Sequence, residues 1–288
     1  MKIKAITYTI LSVFTCSIVG CNEVDETVGQ TNKTREYRED GWKLEKQVTK
    51  EIDNLSFTFP SEGYAYDNRD LYVKECIDAL KEDCAIIKLP NNNDPIKIRF
   101  LNSRKEMEEE VGMSVSGFTN MWTQEIHIVA NNEFTPPIKH EIMHMISMTT
   151  WGYPHDDLIW INEGLATYAH VPSSAFAPGY DCNGYNVGQI YRYFLEKEML
   201  ISIDSLTNSF YREDDMISYH QSAHIVEFLL TNYGIEKFQN LWKNGFSFFE
   251  EIYNISFAQI EIEMNKKAIK KYPTAVNIDW NAFKEGCK

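Results

Sequence analysis

Residues 136–168 read PPIKHEIMHMISMTTWGYPHDDLIWINEGLATY, and this stretch decides how the rest of the chain is organised. Its first half holds His140-Glu141-Ile142-Met143-His144. On a helix, positions four apart project about 40° apart around the axis and one turn along it. Both imidazoles can therefore face one ion from the same side. Glu141 projects from nearly that side but sits too close to His140 in sequence to chelate comfortably with it. That suits a base acting on water at the ion. Pro136 and Pro137 suit a helix start, where a missing N–H costs little. Ile138, Ile142, Met145 and Ile146 follow helical spacing on the opposite face, which predicts a helix packed behind and chemical in front.

Eighteen residues separate His144 from Glu163, which lies in Trp160-Ile161-Asn162-Glu163-Gly164-Leu165-Ala166-Thr167-Tyr168, itself a short apolar-periodic helix. The two halves together resemble the gluzincin metallopeptidases, the broad group containing thermolysin and the zinc aminopeptidases. Their pattern is HExxH, about eighteen residues, then a glutamate inside a WLNEGxAxY-like segment. This chain matches at Trp160, Asn162, Glu163, Gly164, Ala166 and Tyr168. The resemblance implies one Zn2+ held by His140, His144 and Glu163, with a fourth position left for water. It implies Glu141 as the general base and a peptide or protein as the substrate.

The flanking sequence predicts strands at 55–59, 96–100 and 125–129. It predicts helices at 70–81, from Ser103 to near Gly112, and at 186–197, 221–232, 235–243 and 257–271. The resemblance, which covers roughly residues 55–271, implies an α+β, gluzincin-like two-lobed fold. A small N-terminal mixed sheet with helices (46–150) would end in the HExxH helix. A mainly helical C-terminal lobe (151–288) would carry the third ligand, with the active site between them. In that family the strand before the zinc-helix borders the cleft, which makes 117–127 a candidate substrate wall, since an edge strand can pair with a peptide backbone.

Tyr219 opens the segment YHQSAHIVEFLLTNYGIEKFQNLW, which again resembles the family. There a tyrosine stabilises the oxyanion of the tetrahedral intermediate in aminopeptidases, and a histidine does so in thermolysin. Tyr219 matches the aminopeptidase position, and His220 and His224 keep the histidine alternative open. The chain departs from the family twice. Ser116-Gly117-Phe118-Thr119-Asn120 lacks the acidic residue of the GxMEN-like aminopeptidase strand, which favours an endopeptidase-like role. His170 stands where a carboxylate often supports the metal-bound imidazole, with Thr167 as a substitute one turn after Glu163. These departures also frame an alternative of another class: a non-catalytic, zinc-containing binding lipoprotein on a peptidase scaffold.

The net charge of −14 over 288 residues makes a nucleic-acid partner a poor fit. At the N-terminus, Lys2 and Lys4 precede an apolar run from Ala5 to Gly20 that is too short for a spanning helix. It ends Ile18-Val19-Gly20-Cys21, which resembles a bacterial lipobox. The expectation is a signal peptide over 1–20, lipidation of Cys21, and a flexible polar tether over 21–45, with an ordinary secretory signal cleaved nearby as the alternative. That would anchor the protein in a membrane of the bacterial cell envelope, on the periplasmic side or exposed at the surface. The remaining cysteines, Cys76, Cys84, Cys182 and Cys287, allow two disulfides, most simply Cys76–Cys84 and Cys182–Cys287.

Overall fold

In the computed structural model, residues 36–37, 43–44, 47–133, 135–170 and 184–284 are described, and these described residues fall in one unit. The first half contains β1 (Glu36–Tyr37), β2 (Lys43–Leu44), β3 (Gln47–Ile52), β4 (Leu55–Pro60), α1 (Tyr64–Asp67), α2 (Arg69–Ile86), β5 (Ile96–Leu101), α3 (Arg104–Val111), β6 (Gly117–Asn120), β7 (Glu125–Val129) and α4 (Ile138–Trp151). After it, the described residues carry α5 (Ile159–His170), α6 (Val187–Glu196), α7 (Ile203–Ser209), α8 (Asp215–Tyr233), α9 (Ile235–Asn244), α10 (Phe249–Tyr253), α11 (Phe257–Lys271) and α12 (Trp280–Lys284), with short 3-10 turns between some of them. The fold is thus mixed α+β, with the sheet before α4 and helices after it.

The sheet runs β1-β2-β3-β4-β5-β7-β6. Its centre, β4-β5-β7, is parallel, and such a pairing needs a crossover, which α2 supplies between β4 and β5. β3 and β6 join antiparallel. Leu55, Phe57 and Phe59 on β4 and Ile96, Ile98 and Phe100 on β5 are buried at alternate positions, as a pleated strand packed on one face requires. Phe59 and Phe100 stack at 4.6 Å, and Tyr72 of α2 stacks on Phe100 at 5.2 Å. Phe57, Ile98, Ile142, Trp160, Leu229, Trp242 and Ile260 all belong to one continuous core, so the sheet, α4 and the later helices share an interior.

Several expectations change in detail. The strand that precedes α4, β7, is interior, and the edge of the sheet is β6, which forms the first part of the 117–127 candidate wall. β1 and β2 fall within the segment read as a tether, and β3 follows directly. Ser103 caps α3 by accepting the Glu106 N–H at 3.2 Å. In return Glu106 Oε2 accepts from the Asn102 N–H at 2.8 Å, one residue before the cap. The Cys76–Cys84 disulfide does not form: both thiols are free and buried, and both lie on α2. Eight residues of helix separate their Cα atoms by about 12 Å, well beyond the roughly 7 Å that a disulfide spans. Cys21, Cys182, Cys287, the signal peptide and most of the tether lie outside the described residues.

Candidate metal centre

The two halves of the 136–168 stretch become α4 and α5, which pack against each other. His140 and His144 project from one face of α4, and Glu163 of α5 meets them. Glu163 Oε2 lies 3.2 Å from His140 Nε2 and 3.3 Å from His144 Nε2, and the two Nε2 atoms are 3.1 Å apart. A tetrahedral ion with bonds of about 2.0–2.1 Å sets its ligand atoms about 3.3 Å apart. The three donors thus already stand at the spacing of one face of such a tetrahedron. All three side chains are buried, and together they form the metal-capable cluster among the described residues. Three lone-pair donors meeting out of water need a positive charge between them, so the donor set fits the zinc ion that the resemblance implies.

The electrostatics of the three donors carry the same message. Burial disfavours charge on His144, but the Glu163 carboxylate beside it wins and raises its pKa to about 9. Burial likewise opposes ionisation of Glu163, and the adjacent imidazoles overcome it, holding the carboxyl well below its ordinary range. The charge of each group thus favours the opposite charge on its neighbour, as expected where donors converge on a cation. The second ring nitrogen of His144 is also assigned: Nδ1 donates to Asn162 Oδ1 at 3.0 Å. That bond turns the Nε2 lone pair towards the site. Asn162 thereby gives the residue before Glu163 a physical role.

Glu141 is buried on the same face of α4, and β6 closes over it. Thr119 Oγ1 lies 2.7 Å from Glu141 Oε2 and 3.0 Å from the Glu141 backbone oxygen. The hydroxyl has one proton, and the nearer, charged oxygen is the stronger acceptor. Two residues earlier, a Cβ on Gly117 would collide with Glu141 Oε1. Only glycine lets the edge strand run this close to the carboxylate. Thr119 lies in the 116–120 segment that lacks an acidic residue, and its hydroxyl contacts the Glu141 carboxylate instead.

A second glycine sets the other wall. A Cβ on Gly164, next to Glu163, would lie 2.7 Å from the Ser222 carbonyl carbon of α8, so α5 and α8 can pack backbone to backbone. This brings the start of α8 over the site. The Tyr219 ring lies 6.2 Å from that of His140 and 5.0 Å from that of Phe210. His220 directs Nδ1 to the Met216 carbonyl at 2.8 Å and packs on Phe283 at 4.9 Å. His224 lies against Tyr191 at 4.4 Å, with Nδ1 3.1 Å from Glu227. Both histidines are thus engaged within the helical half. His170, at the C-terminal end of α5, is held neutral by desolvation, which pushes its pKa down to about 3.

Four residues at the site make contacts that the sequence reading did not assign. Asn162 and Gly164 stood in the quoted motif with no role. Thr119 and Gly117 sat in the candidate substrate wall, with no contact to Glu141 foreseen. A fifth, Tyr211, had no local signal at all: its phenol donates to Glu163 Oε1 at 2.9 Å from a 3-10 turn, Phe210–Arg212. Comparison with curated proteins yields no match. A family model described as the peptidase MA superfamily matches residues 93–255, from just before β5 through α10, and so takes in every side chain of the site described above. The match spans more than half of the 288 residues, and the chain belongs to the peptidase MA superfamily.

Proposed function

We propose that the protein is a zinc-dependent metallopeptidase that hydrolyses peptide bonds in an endopeptidase-like manner. The observation that carries this reading is the triangle of His140 Nε2, His144 Nε2 and Glu163 Oε2, with sides of 3.1, 3.2 and 3.3 Å. Zinc bound there would supply a Lewis acid and bring the pKa of its water towards neutrality. His140, His144 and Glu163 hold the ion. Glu141 takes a proton from the attacking water and passes it to the leaving amine. Thr119 keeps the Glu141 carboxylate aimed while it does so. Tyr219, on α8 beside His140, donates its phenolic hydrogen bond to the oxyanion as charge builds on the carbonyl oxygen.

Substrate runs along the open edge of β6, in a cleft between the sheet-bearing half and the helical half taken as two lobes. The absence of an acidic residue over 116–120 supports internal cleavage, since nothing there would hold a free amine. Cys21, preceded by Gly20 and an apolar run, supports acylation and an anchor in the bacterial cell envelope. Mass spectrometry of the membrane fraction should find an acylated Cys21 at the mature N-terminus. A soluble product cut elsewhere removes that part of the reading.

The activity is tested by digesting a broad peptide library with and without a chelator, alongside metal analysis. The purified chain should carry one zinc and cleave at internal bonds. Glu141→Gln should keep the metal and lose cleavage. A chain that binds zinc but cuts nothing would instead be a binding protein on a peptidase scaffold.

A further inference from the structure

Tyr211 is 61% exposed, yet its hydroxyl reaches a carboxylate that is 9% exposed at 2.9 Å. The two oxygens of Glu163 have different partners. Oε2 faces both imidazoles, and Oε1 accepts from the phenol. The turn that carries Tyr211 is held from beneath. Phe210 is buried and packs against the Tyr219 ring, and the Glu213 N–H closes the turn on the Phe210 carbonyl at 3.3 Å. The Tyr211 ring has one aromatic neighbour among the described residues, Phe210, edge-on at 5.3 Å. The phenol is therefore brought to Glu163 by a fixed backbone and has little core packing of its own.

We propose that Tyr211 is a positioning residue for the third metal ligand: its hydrogen bond holds Oε1 away from the ion, so that Glu163 binds through one oxygen. The inference rests on the zinc-site reading above. A carboxylate can bind through one oxygen or two. With both oxygens on the ion, the position needed by water would be crowded. A phenol donates one hydrogen bond and brings no charge at working pH, its reference pKa being about 10. It occupies one oxygen without competing for the metal as a lysine or arginine would compete for the carboxylate. Partners one shell out from a metal typically change affinity by about 10–100-fold when removed.

The test is Tyr211→Phe in the full chain, which removes one oxygen from an exposed side chain and leaves the fold intact. Zinc affinity is measured by competition with a chelator. Coordination is read from the visible absorption of the cobalt-substituted protein, where a fifth ligand atom weakens and shifts the bands. Tyr211→Phe should bind zinc about tenfold more weakly and show a changed cobalt spectrum. Tyr153→Phe, equally exposed, should match the wild type in both. Wild-type affinity and an unchanged spectrum in Tyr211→Phe overturn the proposal alone. If turnover falls under those conditions, the phenol acts on the substrate instead. A wild-type chain that takes up neither metal overturns this proposal and the zinc-site reading together.

Discussion

The candidate centre has two walls built by different means. The strand wall, β6, touches the proposed base: Thr119 and Gly117 both meet Glu141. The helical wall touches the proposed ligands: Asn162 meets His144, Tyr211 meets Glu163, and Gly164 lets α5 lie against α8. α4 stands between them and presents a residue to each. On the proposed mechanism, binding the metal and moving the proton would thus be supported by separate elements, although His140 and Glu141 are adjacent in sequence. That separation predicts that damage to one wall should spare the function of the other.

The largest effect should come from Tyr219→Phe, which blurs the division because Tyr219 belongs to the helical side but is assigned to the oxyanion. Its kcat should fall about 10²–10³-fold with zinc content unchanged. A loss of zinc would return it to the ligand side. His220→Ala and His224→Ala should each cost less in turnover. A larger loss from either would move the oxyanion donor to a histidine.

Gly117→Ala comes next. The new methyl group must push β6 or the Glu141 carboxylate aside, and misplacement of that order lowers turnover about 10²-fold. Chelator competition should give the wild-type zinc affinity. A Gly117→Ala chain that binds zinc poorly would show that the strand wall also supports the metal, and the comparison would fail.

Asn162→Ala tests the opposite wall. Without its acceptor, the His144 ring loses its fixed tautomer, and zinc affinity should weaken about 10–100-fold. With zinc held at saturation, turnover should recover most of its wild-type value. The smallest effect is expected from Thr119→Val, which removes one hydroxyl to Glu141 and should lower kcat about tenfold, the order of one charge-assisted hydrogen bond. Thr119→Ser should restore it, and neither should move the zinc affinity. Equal losses in Thr119→Ser and Thr119→Val would mean that the methyl packing, rather than the hydrogen bond, is what counts.

The legible parts of the site are those whose geometry is local. His140 and His144 are one helical turn apart, so their convergence follows from the helix alone, and the NEGxA segment marks Glu163 by its neighbours. Thr119 lies 22 residues before Glu141 and Tyr211 48 residues after Glu163. Their contacts exist only once the sheet edge and α8 have docked, and no spacing rule reports that. The fold shows the same divide. Strands with clear alternation, such as 96–100, and long helical segments, such as 257–271, read through. β6 is four residues long with every position partly buried, so it carries no alternation to find, and the 117–127 wall is drawn across both it and its neighbour. The disulfide expectation failed because α2 runs on to Ile86, five residues past the predicted end, which puts Cys84 on the same rod as Cys76.

The continuous core has a thermodynamic consequence. Ile142, Met143, Met145 and Ile146 of α4 are packed into the same interior as the sheet and the later helices, so the ligands cannot be released without disturbing residues far from them. A metal that binds only the folded chain stabilises it by RT ln(1 + [L]/Kd), about 2.7 kcal/mol at a hundredfold excess over Kd. Here that increment should be shared by the whole molecule and not confined to a loop. Heating should give one cooperative transition with and without metal, displaced as a unit to higher temperature when metal is added. The melting curve would then serve as a titration of the ion, read through every helix and strand at once.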